Sequence, residues 1–225
     1  MKIIIPARKN SKGFPYKNRK LLNFTLSTIP KNLEKDVYIT TDDEEIINAV
    51  KNTDINIQNR SEELSKDDIS TKDIMIDCTS NLSPDDLIVM LYLTYPERTW
   101  NDVEGAIKFF KDNDAKSLLC AMPVKSNPFL CMYREKDFKG SQIIRHNLYR
   151  RQDYPECFEI SHCVCIFKKS ELKYLKNCSP YAVHNFLYSL YSIYFLIKSY
   201  RKEYLYSSFP FTFSNSGINT LNTSN

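Results

Sequence analysis

Residues 2–18 read KIIIPARKNSKGFPYKN, and the change of composition within them decides the fold. Lys2–Ile5 is a short β-branched run of the kind that forms a buried strand. Pro6–Asn18 follows at once with a glycine, two prolines and four basic residues, a composition that predicts a loop. The first strand is therefore expected to end in a strongly basic loop.

Apolar runs and helical patterns alternate along the next 150 residues. Strands are predicted at Val37–Thr40, Leu87–Leu93, Ser117–Val124 and Cys163–Phe167, and helices from about Glu44, over Ser70–Cys78 and over Trp100–Lys111. Asp42 or Asp43, and Ser70 or Thr71, are candidate N-caps. This alternation predicts an α/β fold, a Rossmann-like three-layer sandwich with a mostly parallel sheet. Such sheets bind ligands beyond the carboxyl ends of their strands, which is where loop 6–18 leaves the first strand.

Two segments depart from that rhythm. Residues 125–160 are polar and rich in aromatic residues and arginine, and they are predicted to form an inserted arm or hairpin. Residues 179–225 are rich in aromatic residues and serine and are predicted to end in a disordered tail from about residue 207. Within them, residues 181–197 are short and polar for a membrane span, so a buried or partner-binding helix is expected. Residues 1–178 are thus the predicted globular domain.

Charge and cysteine usage narrow the classes of function. A net charge of +4 is too small to indicate a nucleic-acid-binding protein, but residues 1–33 hold eight Lys or Arg and no acid. That basic lobe suits a phosphorylated partner, or is a solvated surface.

Seven cysteines without a paired spacing indicate reduced thiols inside a cell. Three isoleucines before Pro6 are too few for a signal peptide, so a cytoplasmic location is expected.

The basic loop is the strongest chemical signal. Arg8, Lys12 and Lys17 come from one short segment, and three cations beside exposed backbone N–H groups could cradle a triphosphate. Cations aimed at phosphoryl oxygens also stabilise the charge that develops in nucleotidyl transfer. The alternative is a merely basic surface loop. The segment is not a Walker A loop, because G-x-x-x-x-G-K-[ST] is absent.

The loop resembles the N-terminal signature of CMP-sialic acid synthetases, A-R-x-x-S-K-G-x-P-x-K-N, at every specified letter of residues 7–18. Four later segments resemble elements of the same family in the same order: residues 38–46 its S-T-D-D segment, 60–71 its R-P-x-x-L-x-x-D-x-x-S-S/T element, 92–98 its L-Q-P-T-S-P-L-R element and 150–155 its R-x-Q-D-x-P element. The resemblance covers about residues 2–175. It implies the nucleotidyltransferase type of the α/β fold, with residues 125–160 as a dimerisation arm.

The resemblance also implies an activity and roles for particular residues. A member of this family transfers CMP from CTP to an acidic 2-keto sugar, such as N-acetylneuraminate, with Mg²⁺ and release of pyrophosphate, and forms homodimers. Arg8, Lys12 and Lys17 would hold the phosphates and act in catalysis. The implied nucleotide-binding residues are Ala7, Arg8, Ser11, Lys12, Lys17, Asn18, Arg60, Ser70 and Thr71, and the implied sugar-binding residues are Tyr92, Arg151 and Ser161.

The sequence departs from the family pattern at several places. Tyr92 stands where the family has a glutamine, Tyr95 replaces a serine, and Ser161-His162 replaces an asparagine and a glycine. The family's acidic D-x-D metal segment has no counterpart after residue 171, so no metal ligands can be assigned. Mg²⁺ would arrive with the CTP phosphates or use other acids, and Asp42 and Asp43 are poor substitutes because a helix cap and a strand end explain them. Two functions stay open: an active synthetase, or a degenerate relative that binds CTP or CMP without catalysis. The exact sugar acid is also open.

Overall fold

The computed structural model describes residues 1–10 and 14–174, together with the backbone of residues 185–189. The chain divides into two compact units, residues 1–190 and residues 191–225. Every element described below belongs to the first unit. Ser11, Lys12 and the predicted disordered tail lie outside the described residues.

Helices and strands alternate over most of the described chain. Their bounds are β1 Lys2–Pro6, α1 Lys17–Leu26, β2 Val37–Thr41, α2 Glu44–Val50, β3 Asn56–Asn59, α3 Thr71–Cys78, β4 Leu87–Met90, α4 Trp100–Asp112, β5 Ser117–Pro123, β6 Met132–Arg134, β7 Gly140–Gln142, β8 Phe158–Lys168 and β9 Asn185–Ser189. Short 3-10 helices connect them at Lys31–Asp36, Glu63–Ser65, Pro128–Leu130, Lys136–Phe138, Arg151–Asp153 and Lys169–Tyr174.

One large sheet organises the described residues, with its strands in the order β3-β2-β1-β4-β8-β5-β9. The pairs β1–β2, β2–β3, β1–β4 and β5–β9 are parallel, and β8 runs antiparallel to both β4 and β5. The predicted α/β fold with a mostly parallel sheet is therefore confirmed. The chain moves outward from β1 to β3 and then returns to the other side of β1 as β4. The carboxyl ends of β1 and β4 thus flank the switch point where open α/β sheets bind their ligands.

The first strand forms the centre of the core. Ile3, Ile4 and Ile5 are at most 1% exposed, as expected for β-branched residues in a strand that is covered on both faces. Ile4 packs in a cluster with Met75, Met90 and others from β4, β8 and α3. Burying each such side chain stabilises the fold by about 1.5–3 kcal/mol. The basic loop that follows is therefore attached to one of the best-buried parts of the chain.

Two sequence predictions of local structure are wrong, and two elements were not predicted. The loop expected at 6–18 ends at Tyr16, because α1 begins at Lys17 and buries Leu22 and Thr25. That helix and β3 were missed because neither has a clear apolar pattern: α1 is mostly polar, and β3 contributes one isoleucine. The helix expected within 181–197 is contradicted at residues 185–189, which form a strand that pairs with β5.

The inserted segment 125–160 contains a small hairpin of β6 and β7, apart from the main sheet. Large apolar side chains are exposed here, including Phe138 at 85% and Tyr149 at 95%. The dimerisation role of this arm stays a prediction.

Six cysteines of the described residues carry free thiols. No helix in the described part of the chain is long and apolar enough to cross a membrane.

Candidate functional site

The basic loop leaves the carboxyl end of β1 and is held there by β2. The Thr41 hydroxyl donates to the carbonyl oxygen of Ala7 at 2.6 Å, and the Ala7 N–H donates to the carbonyl oxygen of Thr40 at 2.9 Å. Ala7 is fully buried. The predicted nucleotide-binding residue Ala7 therefore anchors the loop through its main chain.

The far end of the loop forms the N-terminus of α1. Tyr16 is the N-cap residue and makes no side-chain capping bond, and the first turn of the helix contains no acid. Lys17 is the first helical residue, and the buried Asn18 donates from Nδ2 to the carbonyl oxygen of Arg8 at 2.8 Å. The first N–H groups of a helix lack intrahelical partners and carry partial positive charge. This end of α1 therefore suits a phosphate group.

Arg8 extends this positive region toward β3. Its guanidinium is partly exposed and pairs with the Asp67 carboxylate at 2.6 Å. Asp67 is more exposed than Arg8, at 42% against 26% of the side chain. An exposed ion pair of this kind contributes about 0–1 kcal/mol, so a phosphate could replace Asp67 as the partner at little cost.

Arg60 follows β3 and is 7% exposed. Its Nη2 donates to the Thr40 carbonyl oxygen at 3.1 Å, and its Nε to the Thr40 hydroxyl at 3.4 Å. Burial lowers the pKa of this guanidinium, and the nearby charge of Arg8 acts in the same direction. Within the described residues, its side-chain hydrogen bonds come from Nε and Nη2, and none comes from Nη1. Arg60 thus has a donor available for a ligand.

A pocket of about 320 Å³ opens beside Arg60 at the ends of β2 and β3. Asp42, Glu44, Glu62 and Arg60 are among the residues that line it. The pocket therefore lies between acidic residues and one buried arginine.

Ser70 and Thr71 begin α3. Ser70 is the N-cap residue, and its hydroxyl accepts from the Asp73 N–H at 3.1 Å. Tyr92 follows β4, and its hydroxyl lies 3.3 Å from the Thr71 hydroxyl. Burial raises the pKa of Tyr92 to about 12. The contact joins a predicted nucleotide-binding residue to a predicted sugar-binding residue across the end of β4.

The antiparallel strand β8 brings Ser161 and His162 to the same edge. Its pairing with β5 jumps from Cys165 to Ser161, so residues 162–164 form a bulge. Bulges commonly redirect side chains next to active sites. The Ser161 hydroxyl is buried and accepts from the Cys163 N–H at 3.3 Å. The His162 ring meets Tyr92 edge-on with centroids 5.6 Å apart, and burial lowers the pKa of His162.

Arg98 is a further residue at this edge. From the sequence, it is only the last letter of the segment 92–98 that resembles L-Q-P-T-S-P-L-R. It is 4% exposed, and its Nη1 donates to the carbonyl oxygens of Tyr92 at 3.0 Å and Cys163 at 2.7 Å. Its Nη2 donates to the Thr25 hydroxyl of α1 at 3.1 Å. Burial lowers the pKa of Arg98. No sequence pattern indicates such a residue, because its partners are mostly backbone carbonyls far apart in the chain.

Arg151, predicted to bind the sugar, has a different environment. It is exposed in the short helix Arg151–Asp153, where its neighbour Arg150 forms a two-bond ion pair with Asp153 at 3.0 Å. Within the described residues, no hydrogen bond or ion pair joins Arg151 to the strand ends. The structure therefore brings Arg8, Asn18, Arg60, Thr71, Tyr92 and Ser161 to one edge and does not link Arg151 to them.

The Mg²⁺ that the resemblance implies does not fit a site made by the described side chains alone. Asp43 uses both carboxylate oxygens, on Arg19 and on the Glu45 N–H, and Asp67 pairs with Arg8. No group of three His, Cys, Asp or Glu residues in the described ranges could hold a metal.

Comparison with curated proteins finds relatives over most of the chain. N-acylneuraminate cytidylyltransferases of Streptococcus agalactiae serotypes III and V are 26% and 25% identical over 197 residues, which is 83% of this chain and 47% of each relative. The chain thus spans about half the length of those proteins. The post-translational flagellin modification protein B of Campylobacter coli is 28% identical, over 82% of this chain and 83% of that protein.

Solved structures and a family profile agree with these relatives. The structure of a CMP:2-keto-3-deoxy-manno-octonic acid synthetase complexed with CTP superposes with a TM-score of 0.57 at 13% identity. That superposition covers 90% of this chain and 98% of the other, so the two share a fold. The profile of the family described as cytidylyltransferase matches residues 2–205. The chain therefore belongs to the cytidylyltransferase family.

Proposed function

We propose that this protein transfers CMP from CTP to a 2-keto sugar acid and releases pyrophosphate. N-acetylneuraminate, or a related nonulosonic acid, is the proposed acceptor. Family membership supports the cytidylyl transfer, and the names of the Streptococcus agalactiae relatives support the acceptor.

The observation that carries the proposal is the N-terminus of α1. It lies at the carboxyl end of β1, beside the switch point, with no acid in its first turn and no capping side chain. Lys17 begins this helix, and Arg8 is tied to it through Asn18. Backbone donors and two cations therefore meet where a triphosphate would bind.

Roles for individual residues rest on the resemblance to CMP-sialic acid synthetases. We assign Arg8, Lys12 and Lys17 to the phosphates, with Lys17 neutralising the pyrophosphate as it leaves. Arg60 and Thr71 would contact the cytosine, and Tyr92 and Ser161 the sugar. The anomeric hydroxyl of the sugar acid would attack the α-phosphorus of CTP. Mg²⁺ is proposed to arrive with the triphosphate and to neutralise phosphate charge there.

Assembly and location are also proposals. The exposed apolar side chains of the arm, residues 125–160, suit a homodimer interface. A deletion variant without residues 126–148 is expected to be monomeric by sedimentation, and a dimeric deletion variant would contradict this. The proposed location is the cytoplasm.

Pyrophosphate release from CTP, Mg²⁺ and N-acetylneuraminate tests the function. Wild type is expected to release pyrophosphate, and Lys17→Ala to do so at least about 100-fold more slowly, because one donor to developing charge is lost. Lys111→Ala is the matched control, since Lys111 is exposed on α4. An equal loss in both variants would contradict the role of Lys17.

The same assay separates the two open functions. CTP binding by calorimetry without release, for a panel of nonulosonic acids, would identify a non-catalytic nucleotide-binding relative. Release with an acceptor other than N-acetylneuraminate would retain the activity and change the sugar.

A further inference from the structure

We propose that Thr41, Asp42 and Asp43, at the end of β2, are positioning residues that hold both ends of the basic loop for its phosphate ligand. Because β1 ends at Pro6 and α1 begins at Lys17, the loop is residues 7–16. Its two ends, residues 7–10 and 14–16, are the described parts. The inference rests on the proposed function for its ligand, but not for its geometry. From the sequence, Asp42 and Asp43 are candidate helix caps within the segment that resembles S-T-D-D.

The first anchor is the Thr41 hydroxyl, which is completely buried. It donates to the Ala7 carbonyl oxygen at 2.6 Å and accepts from the Asp43 N–H at 3.1 Å. A hydroxyl has one donor, and a carbonyl oxygen can only accept, so that donor is used on Ala7. Thr41 therefore holds the first residue of the loop.

The second anchor is the Asp42 carboxylate. Its Oδ1 accepts from the Lys9 N–H at 2.6 Å, which is short, as expected for a charged acceptor. This bond spans 33 residues of sequence. It fixes the main chain next to Arg8, whose guanidinium is a proposed phosphate ligand.

The third anchor reaches the far end of the loop through Arg19. Asp43 is completely buried, and its Oδ2 accepts from the Arg19 Nε at 2.7 Å while its Oδ1 accepts from the Glu45 N–H at 3.1 Å. The Arg19 guanidinium lies 4.4 Å from the centre of the Tyr16 ring. Tyr16 has φ 55°, a left-handed conformation that is unfavourable for a residue with a side chain. The cation over its ring helps to hold that conformation.

Together the three anchors set the positions of Ala7, Lys9 and the start of α1 before any ligand binds. A binding site that is already ordered loses less conformational entropy when its ligand arrives. The two acidic residues therefore assist a polyanion ligand without touching it. This explains how two carboxylates can lie beside a site that is otherwise built for negative charge.

Amide hydrogen exchange tests the geometry without a ligand. In Asp42→Ala the Lys9 amide is expected to exchange at least roughly tenfold faster, because a hydrogen bond to a charged acceptor is lost. Asp42→Asn should restore much of the protection, since its amide oxygen can still accept. Asp112→Ala, at an exposed site on α4, is the control. Unchanged Lys9 exchange in Asp42→Ala, or an equal increase throughout the sheet, would overturn the proposal.

Calorimetric titration with CTP tests the consequence. Thr41→Val and Asp42→Ala are each expected to weaken CTP binding roughly tenfold, with Thr41→Ser and Asp42→Asn closer to wild type. Thermal unfolding temperatures within a few degrees of wild type would exclude general destabilisation. Full CTP affinity in Thr41→Val and Asp42→Ala would overturn the positioning role. If wild type itself bound no CTP, the proposed function would fail, while the exchange experiment would still decide the geometry.

Discussion

Two neighbouring parts of the one sheet edge that carries the candidate site, called here the β1–β2 edge and the β4–β8 edge, are built in contrasting ways. The β1–β2 edge, defined by Arg8, Asp42, Asp43 and Arg60, is charged and partly open. The β4–β8 edge, defined by Tyr92, Tyr95, Arg98, Ser161 and His162, is mostly aromatic and neutral around one buried cation. Each edge contains a buried arginine whose pKa is lowered by desolvation.

The two arginines differ in what they hold. Arg98 donates to three groups from three separate segments, Tyr92, Cys163 and Thr25. Within the described residues, the Arg60 side chain donates only to Thr40, whose carbonyl oxygen also accepts from the Ala7 N–H. A buried acceptor without a partner is costly, so Arg98 is required by the fold, whereas Thr40 keeps a partner without Arg60. The difference teaches that buried charge alone does not distinguish a structural arginine from a binding one.

The largest expected effect separates these arginines by stability. Arg98→Met should lower the free energy of unfolding by about 3 kcal/mol, because it leaves two carbonyls and a hydroxyl without their donor. Arg60→Met should lower it by about 1 kcal/mol, since the Thr40 carbonyl retains one donor. Urea denaturation of both variants measures the difference. Equal losses would break the comparison.

The next effect concerns binding and rests on the proposed function. Arg60→Lys is expected to weaken CTP binding roughly tenfold, because lysine cannot bond Thr40 and present a second donor in a fixed plane. Calorimetry with CTP measures this. Arg98→Lys is the matched variant, and an equal loss of CTP affinity in it would remove the functional contrast between the two edges.

A smaller effect is expected in alkali at the β4–β8 edge. The folded pKa of Tyr92 is raised by burial to about 12. A raised pKa means that the stabilising neutral form is fully present below about pH 10 and that its contribution is lost as pH rises toward 12. Absorbance titration should show a late tyrosinate that is missing in Tyr92→Phe. A wild-type titration identical to that of the variant would show that the hydroxyl is not desolvated.

The smallest effect comes from a partly buried ion pair near the start of β1, which serves as a reference for both edges. Lys2 and Asp36 lie 2.9 Å apart, and the hydrogen bond from Lys2 lowers the pKa of Asp36. Because the folded pKa is lowered, the ion pair stabilises the fold above about pH 4, the range of an ordinary Asp. This contribution is lost as the pH falls through the folded pKa. Asp36→Asn should therefore cost less than about 1 kcal/mol at pH 7. Urea denaturation should show this cost shrinking as the pH falls through the folded pKa, and a cost that did not change with pH would contradict an ionic origin.

Much of the fold could be predicted from local patterns. The β-branched run of Ile3–Ile5, the alternation after it and the caps at Asp43 and Ser70 all follow from short-range physical chemistry, and the structure confirms them. Helix α1 could not be predicted, because its few buried residues lie among polar ones. Strand β9 could not either, since its pairing with β5 is set by a partner far away in the sequence.

The candidate site divides in the same way. The sequence by itself determined which residues of the basic loop carry charge, because charge is a property of residue type. Only the tertiary structure decided that Thr41, Asp42 and Asp43 hold that loop and that Arg98 joins α1 to β8. Those bonds connect groups that are 24 to 73 residues apart. No local pattern encodes such a contact, since it exists only after the hydrophobic core has brought the strand ends together.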